Sequence, residues 1–89
     1  MKYKLIYTQR AERDLANMDI KTKERLGKTL LRFREEPFKY AEKLSDPILG
    51  SYRFRIGDYR VIFDIDGSEI VVLRAGHRKE IYRRTRKTR

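Results

Sequence analysis

The 89-residue chain has no cysteine, one histidine, two prolines and a shortage of acidic residues. The missing cysteine excludes disulfides and thiolate metal sites and fits a reducing cytoplasm. With a single histidine as well, no zinc site is expected, and no other metal or cofactor is called for. No apolar run approaches the ~20 residues of a membrane span, and residues 1–7 do not form a signal peptide, so the reading is a cytoplasmic protein without a membrane partner. No internal repeat is present. The shortage of acid is pronounced: 13 Asp+Glu stand against 23 Lys+Arg, a net charge of +10. Such an imbalance calls for a polyanionic partner, whether nucleic acid, an anionic surface or an acidic protein. Six tyrosines, four phenylalanines and 39% hydrophobic residues are enough for a folded domain despite the charge. The length allows one domain, 1–89. A domain this small buries only about 60–65% of its unfolded surface, so a groove or an open sheet face is expected rather than a deep pocket.

Alternation of Tyr3, Leu5 and Tyr7 with Lys4 and Ile6 predicts an N-terminal strand. Thr8 is the expected N-cap of a helix over residues 9–17, with Ala11, Leu15 and Met18 at helical spacing. Asp19 is the next N-cap, and the second helix should run to about Glu36, where Pro37 stops it. Leu26, Leu30 and Phe33 form its buried stripe, with Leu31 at the margin. Residues 37–50 read as a loop tethered to the core by Leu44, Ile48 and Leu49. Three strand-like runs follow over residues 51–56, 59–65 and 69–75, separated by the turn candidates Gly57-Asp58 and Asp66-Gly67. Residues 78–84 have the pattern of one or two helical turns, and residues 85–89 of a mobile basic tail. The order predicts an α+β domain: a strand, an antiparallel helix hairpin, then a three-stranded antiparallel meander with the helices on one sheet face, and a short C-terminal helical turn.

Two arrangements carry chemistry. On the second helix, Lys21, Arg25, Lys28 and Arg32 recur at i, i+4, i+7 and i+11, one basic stripe that serves either as a solvated face or as a nucleic-acid contact. In the meander, a two-residue turn at Gly57-Asp58 pairs Ile56 with Tyr59, Arg55 with Arg60, and Phe54 with Val61. Paired residues share a face, so Tyr52, Phe54, Ile56, Tyr59, Val61, Phe63 and Ile65 line the core side, while Arg53, Arg55 and Arg60 line the other. Like charges opposed across a ladder cost some tenths of a kcal/mol, about 0.2–1. A phosphate seated between the guanidinium groups would turn that repulsion into a clamp. The position of Arg74 depends on whether the second turn holds two residues or three.

The stretch from Gly76 to Arg84 brings the remaining candidates. It holds His77, Arg78, Lys79, Tyr82, Arg83 and Arg84. Arg78 and Tyr82 are i, i+4 and share a side of a helical turn. Arginine neutralises phosphoryl charge, tyrosine stacks on bases or donates a proton, and His77 is the one side chain that titrates near neutrality.

At these residues the chain resembles a known family. The run from Tyr52 to Phe63, YRFRIGDYRVIF, followed by Gly76-His-Arg-Lys-Glu-Ile-Tyr82, is similar to the RelE branch of the RelE/ParE toxin superfamily. The resemblance covers nearly the whole chain. It implies a RelE-like single domain and a ribosome-dependent, metal-independent mRNA endoribonuclease, an mRNA interferase that inhibits translation. In that family the mRNA 2′-hydroxyl attacks the adjacent phosphate in the ribosomal A site, leaving a 2′,3′-cyclic phosphate and a 5′-hydroxyl. The implied partners are the ribosome (rRNA), the mRNA, and a RelB-like antitoxin with an acidic segment that wraps the toxin. Carried over by residue, Arg60 stabilises the phosphate, Arg78 stabilises charge and acts as general acid, and Tyr82 orients the mRNA. Arg53 and Arg55 stand where that branch has two lysines. Guanidinium does not give up its proton at neutral pH, so these two clamp and neutralise but cannot serve as the base. His77 and Glu80 are left for that role. Lys21, Arg25, Lys28, Arg32, Arg83 and Arg84 are the expected RNA contacts. Two other classes stay open: a ParE-like DNA gyrase poison on the same fold, and a non-catalytic nucleic-acid-binding module.

Overall fold

The structure is a computed structural model that describes residues 2–46 and 48–87, with side chains described as far as Tyr82. The elements run β1 (Lys4–Tyr7), α1 (Gln9–Ala16), α2 (Ile20–Phe33), α3 (Pro37–Tyr40), β2 (Glu42–Lys43), β3 (Tyr52–Ile56), β4 (Tyr59–Asp66), β5 (Glu69–His77) and α4 (Arg78–Lys87). This is the α+β class that the element order predicts. The five strands lie in the order β1-β5-β4-β3-β2. β1 adds parallel to β5, and the other pairings are antiparallel. The helices after β1 carry the chain to β2 at the opposite edge, and the antiparallel strands then return it to β5 beside β1. No helix among the described residues is long and apolar enough to cross a membrane.

Local chemistry sets the helix starts. Thr8 Oγ1 accepts from the Ala11 N–H at 3.1 Å, and the Asp19 carboxylate accepts from the Thr22 N–H at 3.2 Å and its hydroxyl at 2.6 Å. Those Thr22 hydrogen bonds hold the Asp19 carboxyl below its ordinary range. Leu26, Leu30 and Phe33 are buried as the stripe predicts, and Leu31 is exposed. α2 ends at Phe33, three residues before the expected stop, and Pro37 instead opens α3 at its first turn. Proline is favoured there because the N–H it lacks would be unpaired in any case. Tyr40, at the end of α3, stacks on Phe33 with ring centroids 4.0 Å apart. The next segment also departs from the simple loop expected. Glu42 and Lys43 form an edge strand on β3, and Ile48 is 83% exposed rather than a tether. Asp46 explains the latter: its carboxylate accepts from the Ile48 N–H at 3.0 Å, a local turn that holds Ile48 away from the core.

The β3–β4 hairpin has the register read from the sequence, with Ile56 on Tyr59, Arg55 on Arg60 and Phe54 on Val61. Gly57 sits at the first loop position with φ +61°, where a type II′ turn requires glycine. The second hairpin pairs Asp66 with Glu69, so its loop is Gly67-Ser68, one residue later than the Asp66-Gly67 signal. A bulge at Leu73 then shifts β5. Arg74 thereby pairs with Ile62, itself opposite Arg53, which puts it on the arginine side of the sheet. β1 stops pairing at Val72, and α1 covers the β5 edge beyond it. Thr8 Oγ1 donates to the Leu73 carbonyl at 3.2 Å, and the Asp14 carboxylate accepts from the Ala75 N–H at 3.0 Å. Asp14 also takes Arg74 Nε at 2.8 Å, so a side chain stands in for a missing strand.

The core lies between α1, α2 and the apolar sheet face: Phe54, Val61, Phe63, Ile70 and Val72 pack with Ala11, Leu26 and Leu30. The helices do not all occupy that face. α4 crosses the opposite one, where Ile81 is 1% exposed and Ile62, next to Arg53 in register, is fully buried. α4 continues to Lys87, past the expected end at Arg84. Residues 88–89 of the predicted tail lie outside the described residues.

Candidate active site

The ladder puts Arg53, Arg55 and Arg60 on one face, but the Arg60 guanidinium turns away from the other two. Arg60 is 6% exposed and turns back on its own hairpin, its Nη1 donating to the Gly57 and Tyr59 carbonyls at 2.9 Å each. Arg55 reaches outward instead, its Nη1 lying 3.4 Å from Glu42 Oε2. The opposed charges are thus relieved by two carbonyls on one side and a carboxylate on the other. Arg53 Nε donates to Glu42 Oε1 at 2.8 Å. Glu42 is opposite Arg53 in the β2–β3 ladder, which places the two side chains on the same face.

α4 closes this cluster from above. Arg53 Nη1 donates to the Tyr82 hydroxyl at 2.6 Å, with its guanidinium carbon 5.8 Å from the Tyr82 ring centroid. At the start of the helix, the Arg78 N–H donates to the Asp58 carbonyl at 2.8 Å, and Arg78 Nε stands 3.7 Å from the Asp58 carboxylate. α4 therefore joins the hairpin turn to the arginine pair. Burial disfavours the charged form of Arg53, but the hydrogen bonds to Glu42 and Tyr82 outweigh it and raise its pKa. The Arg53 hydrogen bond is also the main reason that the Glu42 carboxyl lies below its ordinary range, with Arg55 adding to it and burial opposing. The result is a half-exposed cationic surface of fixed charge, with an aromatic ring at its edge.

His77 is not part of it. It pairs with Tyr59 across the β4–β5 ladder and meets that ring edge-on, centroids 5.5 Å apart, on the core side of the sheet. Its Nδ1 accepts from the Lys79 N–H at 3.2 Å. Glu80 lines the same cavity as His77, together with Asp14, Met18 and Tyr59. Both residues proposed from sequence as the base are thus brought together with each other and not with Arg53 and Arg55.

The basic stripe on α2 is exposed, and Lys21, Arg25, Lys28 and Arg32 line one shallow groove with Glu24 and Thr29. The Arg25 guanidinium lies directly against Gly57, where a Cβ would overlap it. The stripe therefore reaches the hairpin turn from one side as Arg78 reaches it from the other. The side chains of Arg83 and Arg84 lie outside the described residues.

Residues 5–82 match the family model for the ParE toxin of the type II toxin–antitoxin system parDE. The chain belongs to the RelE/ParE toxin superfamily. Within it the named relatives are of the RelE kind. The chain is 32% identical over 91 residues to toxin RelG of Mycobacterium tuberculosis, covering 94% of this chain and 100% of that protein. The crystal structure of the toxin–antitoxin complex RelBE2 from M. tuberculosis matches with a TM-score of 0.79 at 25% identity, over 86% of this chain and 99% of that one. A mutant Escherichia coli toxin RelE in the free state matches with a TM-score of 0.75 at 24% identity, over 98% and 97%, a likeness of fold.

For this superfamily toxin, two residues escaped sequence reasoning. Glu42 was hidden in a segment read as loop, and a two-residue strand leaves no periodicity to detect. Asp14 did leave a signal. It falls at i+3 from Ala11, a charged residue on an otherwise apolar stripe, which is where a buried partner is to be sought.

Proposed function

We propose that this RelE/ParE-superfamily toxin is a metal-independent endoribonuclease that cleaves mRNA in the ribosomal A site. The observation that carries the reading is the convergence of Arg53, Arg55 and Tyr82 on one half-exposed face, with Tyr82 held 2.6 Å from Arg53. In the reaction the 2′-oxygen bonds to the adjacent phosphorus and the P–O5′ bond breaks. The 2′-hydroxyl loses its proton to solvent water and the leaving 5′-oxygen takes one from water, giving a 2′,3′-cyclic phosphate and a 5′-hydroxyl. Arg53 and Arg55 bind the phosphate and neutralise the charge that builds on it. Arg78 stabilises charge from the α4 side, and Tyr82 presents its ring to a base while its hydroxyl holds Arg53. Arg60, enclosed by its turn carbonyls, raises the local potential and keeps the hairpin tip in shape. The rate then comes chiefly from charge stabilisation and from ribosomal positioning of the scissile bond.

Lys21, Arg25, Lys28 and Arg32 serve as the rRNA contact, a stripe that continues through the hairpin turn to Arg78. The second partner is an antitoxin. Complexes of RelE with RelB from Methanococcus jannaschii and Pyrococcus horikoshii support one, and the net charge of +10 favours an acidic segment lying on the arginine face.

Ribosomes carrying a defined mRNA test the enzyme reading. Cleavage within the A-site codon, with a cyclic phosphate on the upstream product, is expected. Intact message with toxin in excess overturns it. The ParE description of the family model favours a second reading, a gyrase poison, which predicts trapped gyrase–DNA cleavage complexes and untouched mRNA. A non-catalytic module predicts RNA binding with steep salt dependence and no product.

A further inference from the structure

We infer that Glu42 occupies, as a carboxylate, the seat between Arg53 and Arg55 that a substrate phosphate takes, so that RNA binds here by displacing a built-in anion. The inference deepens the reading of this face as the phosphate site and rests on it.

Three observations carry it. First, Glu42 offers one oxygen to each arginine, Oε1 to Arg53 Nε at 2.8 Å and Oε2 to Arg55 Nη1 at 3.4 Å. Two non-bridging oxygens of a phosphodiester present the same acceptor pair, and they would seek the same N–H groups. Second, the cluster is open to such an exchange. The side chains of Glu42, Arg53 and Arg55 are 40%, 30% and 57% exposed, and β2 is a two-residue edge strand paired to β3 alone. Third, Arg53 has a second anchor. Its Nη1 is held by the Tyr82 hydroxyl, so it stays aimed at the seat when Glu42 leaves.

The exchange also explains how a chain with two arginines in place of lysines avoids a bare cationic pair beside a buried third arginine. Without RNA, Glu42 screens Arg53 and Arg55 from each other. With RNA, the phosphate does so, and the carboxylate is released beside it. Glu42 is thus an internal competitor and a positioning residue for the arginines.

The test uses the full-length toxin and a short 2′-O-methyl RNA that cannot be cleaved, with binding read by fluorescence anisotropy at fixed salt. Removing any acid raises the net positive charge, so Asp66→Asn, at the far end of β4, sets the background. Glu42→Gln should bind the RNA about two- to five-fold more tightly than Asp66→Asn, the scale of one exposed ion pair. Glu42→Ala should do the same, which guards against an effect peculiar to the amide. The excess should vanish on acidification, because the wild-type carboxyl then loses its charge too. Binding no tighter than that of Asp66→Asn, or weaker than wild type in folded variants, overturns the inference. An excess that persists in acid overturns it as well. The assay needs no ribosome and no cleavage, so intact mRNA on ribosomes would refute the enzyme reading without deciding this one.

Discussion

Asp14 and Glu42 hold arginines by nearly the same geometry in different surroundings. Asp14 takes Arg74 Nε at 2.8 Å and Nη2 at 3.4 Å; Glu42 takes Arg53 Nε at 2.8 Å and Arg55 Nη1 at 3.4 Å. The side chains of Asp14 and Arg74 are 6% and 15% exposed, whereas those of Glu42, Arg53 and Arg55 are 40%, 30% and 57% exposed. Asp14 also accepts a backbone N–H, from Ala75, that has no strand to receive it. Burial makes the first cluster a structural joint between α1 and β5. Exposure makes the second exchangeable, which is what a binding surface requires. Distance alone does not separate the two roles.

Removing the carboxylate from the buried cluster is the strongest way to test that contrast. Asp14→Ala strands the Arg74 charge and the Ala75 N–H together, and should cost about 3–5 kcal/mol in urea denaturation. A loss below about 1 kcal/mol would place Asp14 with the exposed pairs and dissolve the comparison.

The exposed cluster should give the reverse pattern. Arg53→Ala and Arg55→Ala should each lower single-turnover cleavage of ribosome-bound mRNA by about 10²–10³, the scale of losing one charge-stabilising donor. Their stability should fall by under about 1 kcal/mol, because exposed ion pairs contribute little. Equal losses in stability and cleavage would make Arg53 and Arg55 structural.

Tyr82→Phe probes the same face more finely. The ring and its contact with the Arg53 guanidinium survive, and only the 2.6 Å hydrogen bond is lost. A net hydrogen bond is worth about 1 kcal/mol, so cleavage should fall by about five-fold. A loss as large as that of Arg53→Ala would mean that the hydroxyl takes part in proton transfer.

Legibility in the sequence followed the range of the signal. The β3–β4 register could be read because Gly57-Asp58 fixes a two-residue loop and period-two alternation does the rest. The caps at Thr8 and Asp19 and the stripe of Leu26, Leu30 and Phe33 could be read for the same reason, since each is set within a few residues. Contacts between distant segments could not. The parallel docking of β1 on β5, the bulge at Leu73 that delivers Arg74 to Asp14, and the pairing of Glu42 with Arg53 each depend on tertiary packing. In the candidate site, the strand arginines and Tyr82 could be placed because they lie on periodic elements. His77 was misplaced because strand β5 extends through it, and this puts its ring with Tyr59 instead of with the arginines. The sequence places His77 beside Arg78, but the strand ends at His77 and the helix begins at Arg78, which sends the two side chains to different partners.

The smallest expected effect concerns Glu42 and acid. Its carboxyl lies below the ordinary range in the folded toxin, first because of the Arg53 hydrogen bond. A carboxyl depressed by folding adds stability above the ordinary carboxylate range of the unfolded chain, and that contribution is lost as pH falls through the folded value. The difference in stability between wild type and Glu42→Gln should therefore be complete at pH 7 and shrink on acidification below the ordinary carboxylate range. With the side chain 40% exposed, screening by solvent keeps that difference under about 1 kcal/mol. Salt should act on it in the same way, because an exposed pair is screened within a Debye length of about 3 Å at 1 M. The deficit of Asp14→Ala should persist in 1 M NaCl, because its partners are shielded from the salt as they are from water. Urea denaturation of both variants in low and high salt decides the point. If the Glu42→Gln difference survived 1 M NaCl, the cluster would be held as tightly as the buried one, and exchange with a phosphate would lose its physical basis.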